Sequence, residues 1–390
     1  MIDDHEAESD IPEGARPVLD PVVDIRTTPM LNDDDFKIVL LSLNKSRGTT
    51  LTHAAETLRV TWPESKRIAQ AAEAAGMDAI LSVASWRNTT PSYPTYDRVW
   101  ESLTFTAGLA AVTERIQLFA TVHVPLFHPV MLAKMMATAD HIAGGRLALN
   151  VVAGWNQDAF DMFGLPEVDH DRRYEHASEW MELLLKIFAV DEPFDFDGEF
   201  VHGKGIVSQP KPLQRPRPVI MSAGSSPEGL AFAGRYADVI FAIFSSMEEF
   251  PKTLESSRRL AAQHGNEHLK FCGHGYVVCA DTEREAQQHF EHLMTEQLDK
   301  KAAGAFLDNS AGKLRSVDVV ARENIVRRTA AGSWGFPLVG TPDQIADSIA
   351  TMHAGGMDGM AISFPDYDAG VAAYDEAIRP LLVEAGVRSR

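Results

Sequence analysis

From position 36 onward, short apolar runs alternate with stretches whose apolar residues recur at helical spacing. The runs read as strands over 36–43, 77–83, 116–122, 146–153, 218–223, 238–244, 269–279 and 357–364. The stretches between them read as helices over 63–75, 96–114, 129–142, 171–188, 227–236, 247–264, 282–298 and 342–354, with a last helix over about 369–385. Strands alternating with helices imply βαβ units and a parallel sheet, because a parallel pair needs a long crossover. Eight such strands predict an α/β fold, a closed (β/α)8 TIM barrel with insertion loops. Periodicity alone also permits a doubly wound sheet; the strand count favours the barrel.

Local chemistry supports several boundaries. Thr341-Pro342-Asp343-Gln344 places a capping hydroxyl, then proline at the first helical position, and Ser226-Pro227-Glu228 does the same. Gly76, Gly144-Gly145 and Gly355-Gly356 follow helices, where a left-handed residue ends the run. Residues 1–35 are acidic and punctuated by Pro12, Pro17, Pro21 and Pro29, which predicts an extended, flexible N-terminal arm before a catalytic domain over 36–390. Three connections exceed a minimal barrel: 85–95, 191–217 and 300–340. The last contains Gly332-Ser-Trp-Gly-Phe336, readable either as a mobile cover or as a structured surface insertion.

Composition narrows the function classes. A net charge of −19 over 390 residues argues against nucleic acid and anionic membranes as partners, since both need basic patches. The two cysteines, Cys272 and Cys279, form no Cys-x-x-Cys pair, so disulfide scaffolds and zinc sites are not expected. No leader-like basic-then-apolar segment and no bilayer-length apolar run appear, which predicts a cytoplasmic protein.

In a barrel the chemistry sits at the strand C-termini. Asn150 lies near the end of a Val/Leu-rich run, where an amide must find hydrogen-bond partners, and is read either as a ligand contact or as a satisfied interior residue. Thr121 and His123 end the preceding run; His123 is a candidate for proton transfer or substrate contact. Ala223-Gly224-Ser225-Ser226-Pro227 joins a strand to a helix, offering backbone amides and hydroxyls to an anion. Arg173 and Tyr174 open another helix and suit a phosphate, or else Arg172 and Arg173 pair with Asp169, Asp171 and Glu175 on the surface. No metal site is expected: His123 with His128 lacks His-x-His spacing, and His264 with His268 lacks the glutamate of His-Glu-x-x-His. No Gly-x-Ser-x-Gly elbow or complete dinucleotide fingerprint is present.

The segments 108–121, 143–156, 170–174, 218–229 and 338–346 together resemble the bacterial luciferase-like flavin-dependent monooxygenases. Within them the chain is most similar to the pyrimidine oxygenase, dimethylsulfone monooxygenase and alkanesulfonate monooxygenase group. The resemblance implies reduced FMN (FMNH2) as cofactor, contacted at Ala84, Ser85, Thr121, Asn150, Arg173, Tyr174, Gly224, Ser225 and Ser226. Thr121, Asn150 and His123 would form the catalytic group, and Trp86, Arg87 and His123 would touch substrate. The implied reaction is two-component: a separate NAD(P)H:flavin reductase supplies the flavin, and one atom of O2 enters a small organic sulfone, sulfonate or N-heterocycle through a peroxyflavin. A homodimer or homotetramer is expected. The acidic residue expected after Gly-Trp-Asn falls on Ala159, with Asp158 adjacent. Ala84-Ser85 also departs from the pyrimidine pattern, while His123 and the His170–Tyr174 segment look more like the sulfone branch. The alternatives are a deazaflavin (F420)-dependent oxidoreductase on the same barrel and a non-catalytic flavin-binding protein.

Overall fold

The computed structural model describes residues 20–389 apart from 34, 87–97, 155, 156, 167, 168, 225, 245, 249, 310–331, 333 and 334, and gives backbone only at 158, 170, 171 and 305–309. Eight parallel strands form the centre: β1 (Lys37–Leu41), β2 (Ala79–Ser82), β3 (Gln117–His123), β4 (Leu147–Val152), β5 (Val219–Ser222), β6 (Val239–Ala242), β7 (Lys270–Cys279) and β8 (Gly359–Ser363). Each pairs with its neighbour in chain order, β6 pairs with β7, and β8 returns to β1, so the sheet closes. Followed once around the ring, the registers come back to the starting strand displaced by eight residues. Eight strands with that shear define the (β/α)8 barrel. The paired spans are shorter than the apolar runs because flanking residues such as Phe36, Met77 and Phe244 are buried in turns rather than paired.

Alternation along each strand splits the apolar residues into two cores. Outward residues such as Ile38, Leu118 and Leu149 meet helix residues such as Ile68, Leu109 and Leu184. Inward residues fill the barrel. The shear stacks them in layers drawn from alternate strands. One layer holds Val39, Phe119, Met221 and Cys272, and the next holds Leu81, Asn150, Phe241 and Ala361. Above them, at the C-terminal mouth, stand Leu41, Thr121, Ala223 and His274.

The helices that wrap the ring are α1 (Trp62–Ala74), α2 (Ser102–Ala110), α3 (Pro129–Ile142), α4 (His170–Ala189), α5 (Pro227–Tyr236), α6 (Phe250–Gln263) and α7 (Pro342–Ala354). The expected caps are present. Thr341 and Gln344 form a reciprocal capping box on α7, and Ser226 Oγ accepts from Gly229 N at 3.1 Å on α5. The helix expected over 96–114 is α2 alone, started by Glu101, whose carboxylate accepts from Leu103 and Thr104 N–H groups. The last helix starts earlier than expected, at Tyr367 under an Asp366 cap, and passes through a π-turn over Tyr374–Ile378 before Arg379–Glu384.

The long connections carry structure of their own. Within 191–217, Phe194–Asp197 and His202–Ile206 form an antiparallel hairpin. Gln214–Arg215 then pairs with Val23–Asp24, so residues 20–33, inside the span read as an arm, dock beneath the barrel. Met30 is buried there and its N–H donates to Gln117 Oε1 at 3.0 Å. Within 300–340, a helix over Lys300–Asn309 leads to a ninth strand, Phe336–Gly340, which pairs with Gly275–Cys279 where β7 rises above the ring. Among the described residues no helix is long and apolar enough to cross a membrane.

Candidate active site

Thr121 is the organising residue of the mouth. Its N–H donates to Ser102 Oγ at 2.8 Å, and its hydroxyl donates to the Ser82 carbonyl at 2.5 Å. The hydroxyl can therefore only accept from Asn150, one strand over, whose Nδ2 lies 3.0 Å away. That fixes the amide orientation and leaves Asn150 Oδ1 buried without a partner. An acceptor in that state calls for a donor from outside the chain, since a buried unpaired polar atom costs about 1–3 kcal/mol. A cavity of about 150 Å³ opens next to Thr121, lined also by Ala84, Ser85, Trp86 and Glu101 among others. Trp86 Nε1 is likewise buried and unpartnered, with its ring against Phe127 and Phe163.

His123 ends β3 and is buried, its ring edge-on to Phe160 at 5.8 Å. Burial lowers its pKa to about 4, so the imidazole is neutral near pH 7 and offers one donor and one acceptor rather than a charge. Its Nδ1 has no partner.

The adjoining flank of this half of the mouth carries Arg173, Tyr174 and Ser226. Arg173 reaches from α4 to donate to the Gly154 carbonyl at 2.8 Å, just past β4. Gly154 has φ +116°, and a Cβ there would meet Phe160 at 2.8 Å, so only glycine lets the chain turn at this point. The Tyr174 hydroxyl bonds Ser226 at the start of α5, and burial raises its pKa. Gly224 and Gly229 pass close beneath that hydroxyl: a Cβ on Gly224 would stand 2.6 Å from it and 2.7 Å from Gly229 Cα. Tyr174 and Ser226 thus meet over a close-packed pair of glycines at the start of α5, and Arg173 stands at the Gly154 turn.

Residues 36–359 match the family model described as luciferase-like monooxygenase. This chain belongs to the luciferase-like monooxygenase family. It is 30% identical over 343 residues to an FMNH2-dependent dimethylsulfone monooxygenase of Pseudomonas putida, covering 84% of this chain and 90% of that protein. It is 31% identical over 373 residues to pyrimidine monooxygenase RutA of Escherichia coli (strain K12), covering 92% and 95%. Among solved structures, a riboflavin lyase (RcaE) described with modified FMN and riboflavin superposes with a TM-score of 0.82 at 24% identity, over 90% of this chain and 92% of that one, a likeness of fold.

Within this family member, the structure brings Ala84, Ser85, Thr121 and Asn150 to one edge of the mouth, and Arg173, Tyr174, Gly224 and Ser226 to the adjoining one. Ser225, Arg87, Trp155 and Asn156 lie outside the described residues, as do the side chains of Asp158 and His170. Ala159, where an acidic contact was expected, is buried and apolar. Sequence reasoning missed Ser82 and Ser102, which hold Thr121, and His274 on β7. The signal for His274 was Gly273-His274-Gly275, a polar residue between glycines in an apolar strand. Those glycines are required, because a Cβ on Gly273 would stand 2.7 Å from Met357 Sδ, and one on Gly275 2.5 Å from Met360 Sδ.

Proposed function

We propose that this chain is the oxygenase of a two-component system, taking reduced FMN from a separate NAD(P)H:flavin reductase and inserting one atom of O2 into a small organic substrate. The observation that carries the reading is the unsatisfied Asn150 Oδ1 beside Thr121, on the same half of the mouth as the glycine cradle of Ser226, Tyr174 and Arg173. The residues fit the cofactor: the unpartnered Asn150 Oδ1 would accept from an N–H edge of a flavin ring, and Ser226, Tyr174 and Arg173 would hold its phosphate. Names of curated relatives, one of them FMNH2-dependent, agree.

Bound reduced flavin supplies the electrons and the activated oxygen. The chain does the rest. Ser226, Tyr174 and Arg173 would hold the phosphate through charge-assisted bonds. Asn150 would accept from the ring edge, and Thr121, tied to Ser82 and Ser102, keeps that amide in one orientation. His123, neutral and adjacent, can take or give a proton without adding charge. Burial around Thr121 and Trp86 excludes water, which would otherwise divert the oxygen to hydrogen peroxide.

The deciding experiment is anaerobic binding of reduced FMN, oxidised FMN and coenzyme F420 by fluorescence or calorimetry. Preference for reduced FMN supports the oxygenase; preference for the deazaflavin moves the chemistry to hydride transfer; binding of none refutes a flavin site.

A further inference from the structure

A hydroxyl carries one proton, so following each proton shows which hydroxyls around the cavity next to Thr121 are already spent. The Thr121 proton goes to the Ser82 carbonyl, and the same oxygen accepts from Asn150 Nδ2. Thr121 therefore has no hydrogen bond left to donate. Ser102 lines the same cavity and differs. Its Oγ accepts from the Thr121 N–H at 2.8 Å, and among the described residues no acceptor takes its proton. The residue is 3% exposed, so water does not reach it from outside.

The obvious internal acceptor is engaged elsewhere. The neighbouring Glu101 carboxylate caps α2, accepting from the Leu103 and Thr104 N–H groups at 2.9 and 2.6 Å. Ser102 is also fixed in place. It is the first residue of α2, and that helix is tied to the wall by Thr106, whose hydroxyl donates to Ser82 Oγ at 3.2 Å, and by the buried Phe105 and Leu109. The Ser102 oxygen cannot leave the Thr121 amide without breaking that set, so rotation of the proton about Cβ–Oγ is its remaining freedom. Trp86 brings another unpartnered N–H to this lining, but its ring is held by Phe127 and Phe163 rather than by Thr121.

Resting on the FMN reading above, we propose that Ser102 is a further catalytic residue, giving a hydrogen bond to dioxygen in this cavity as the oxygen takes electrons from the reduced flavin. The flavin is oxidised, the oxygen is reduced, and the serine proton stays on Oγ. A fixed donor gains little from neutral O2 and much from the negative charge that appears on it, so the bond lowers the barrier more than it tightens binding. Thr121 then holds Ser102 and Asn150 in register and does not itself donate to oxygen.

The test mixes the full chain, loaded anaerobically with reduced FMN, with O2 in a stopped-flow instrument and reads the oxygen-dependent phase of the flavin absorbance, with no organic substrate present. The Kd for reduced FMN and the melting temperature are read separately, without oxygen. Ser102→Ala should slow the oxygen reaction about tenfold or more while the Kd moves less than about twofold. Ser102→Thr keeps the hydroxyl and should recover most of the rate. Ser102→Cys keeps the volume with a weaker donor and should fall between alanine and wild type; it decides the question if the alanine variant does not fold. A wild-type oxygen rate in the alanine or cysteine variant would overturn the proposal. So would a threonine variant no faster than alanine, or a rate loss matched by an equal loss of FMN affinity, which would reduce Ser102 to a support for Thr121. A wild type that fails to bind reduced FMN would instead remove the oxygenase reading, so the two failures are separable.

Discussion

Replacing Gly224 with alanine tests the anion cradle through one added methyl group. The new Cβ would stand 2.6 Å from the Tyr174 hydroxyl and 2.7 Å from Gly229 Cα, where ordinary contact begins near 3.4 Å. Tyr174 must retreat by about 0.8 Å and the first turn of α5 by about 0.7 Å, or share the displacement. Gly224 carries no positive φ, so the effect is steric rather than torsional. Overpacking of this kind costs about 1–3 kcal/mol. The displaced groups are the ones read as phosphate contacts, so a loss of about 1.4–2.8 kcal/mol in binding, or about 10–100-fold in the Kd for FMN, is expected. Fluorescence quenching of FMN gives the Kd, and thermal melting gives the stability. Gly304→Ala is the control: that helical glycine has nothing within 4 Å of its added Cβ, so FMN affinity should stay at the wild-type value. Adding Tyr174→Phe to Gly224→Ala relieves the hydroxyl clash but not the backbone one, so stability should recover only in part. A folded Gly224→Ala variant with wild-type affinity for FMN would refute the placement of the phosphate.

Asn150→Ala removes the bond to Thr121 and the free acceptor together, so it should change stability by only about 1 kcal/mol while raising the hydrogen peroxide released per flavin oxidised; unchanged coupling with a turned-over substrate would sink the role of Asn150. His123 and His274 have folded pKa values lowered to about 4 and about 3, against about 6.5 unfolded, so the unfolded state takes up their protons first as pH falls. Stability should be fully present above about pH 6.5 and fall below it by about 1.4 kcal/mol per pH unit for each histidine. Urea melts between pH 7.5 and 4.5 should show this, with a shallower slope in His274→Phe; a flat profile argues against both assignments. Arg388, near the C-terminus, is buried, donating to Asp78 Oδ2 at 2.6 Å and to the carbonyls of Phe36 and Gly76. Arg388→Met should destabilise the fold by about 3–5 kcal/mol, because it leaves the Asp78 carboxylate short of its charge partner; a melt within about 1 kcal/mol of wild type would contradict this.

The eight ring strands were legible because strands covered on both faces read as continuous apolar runs, as Ile38–Leu41 of β1 and Val219–Met221 of β5 do. The ninth strand, Phe336–Gly340, was absorbed into a connection: it is short and contains Pro337, features of an edge strand that read as loop. Met30 and Leu31 make an apolar stretch too short to read as an element, and only the tertiary fold shows that Met30 closes the barrel floor. At the site, Thr121 and Asn150 stood out as polar residues near the ends of apolar strands. His274 did not, because its place at the mouth is set by its height relative to Thr121, and height follows from the register of every strand between them. Periodicity supplies the face of a strand; it does not supply that non-local sum.

The two ends of the barrel treat buried polarity differently, and this argues for where the chemistry lies. At the floor, Lys37 Nζ donates to Asn32 at 3.0 Å, and Asp140 accepts from Gln214 Nε2 at 2.7 Å and from the Leu213 and Leu147 amides. Arg388 is held by Asp78 and two carbonyls, while Gln117 Nε2 and the Tyr374 hydroxyl near Arg388 are left unpaired among the described residues of this end. At the mouth, Asn150 Oδ1, His123 Nδ1, His274 Nε2 and Trp86 Nε1 are all buried and unpaired. Each lowers stability by about 1–3 kcal/mol relative to a satisfied group. A barrel folding only for stability would place such groups without regard to end, or replace them with apolar residues of like shape. Their gathering at the C-terminal face is the arrangement expected if ligands complete the hydrogen bonds that the chain leaves open.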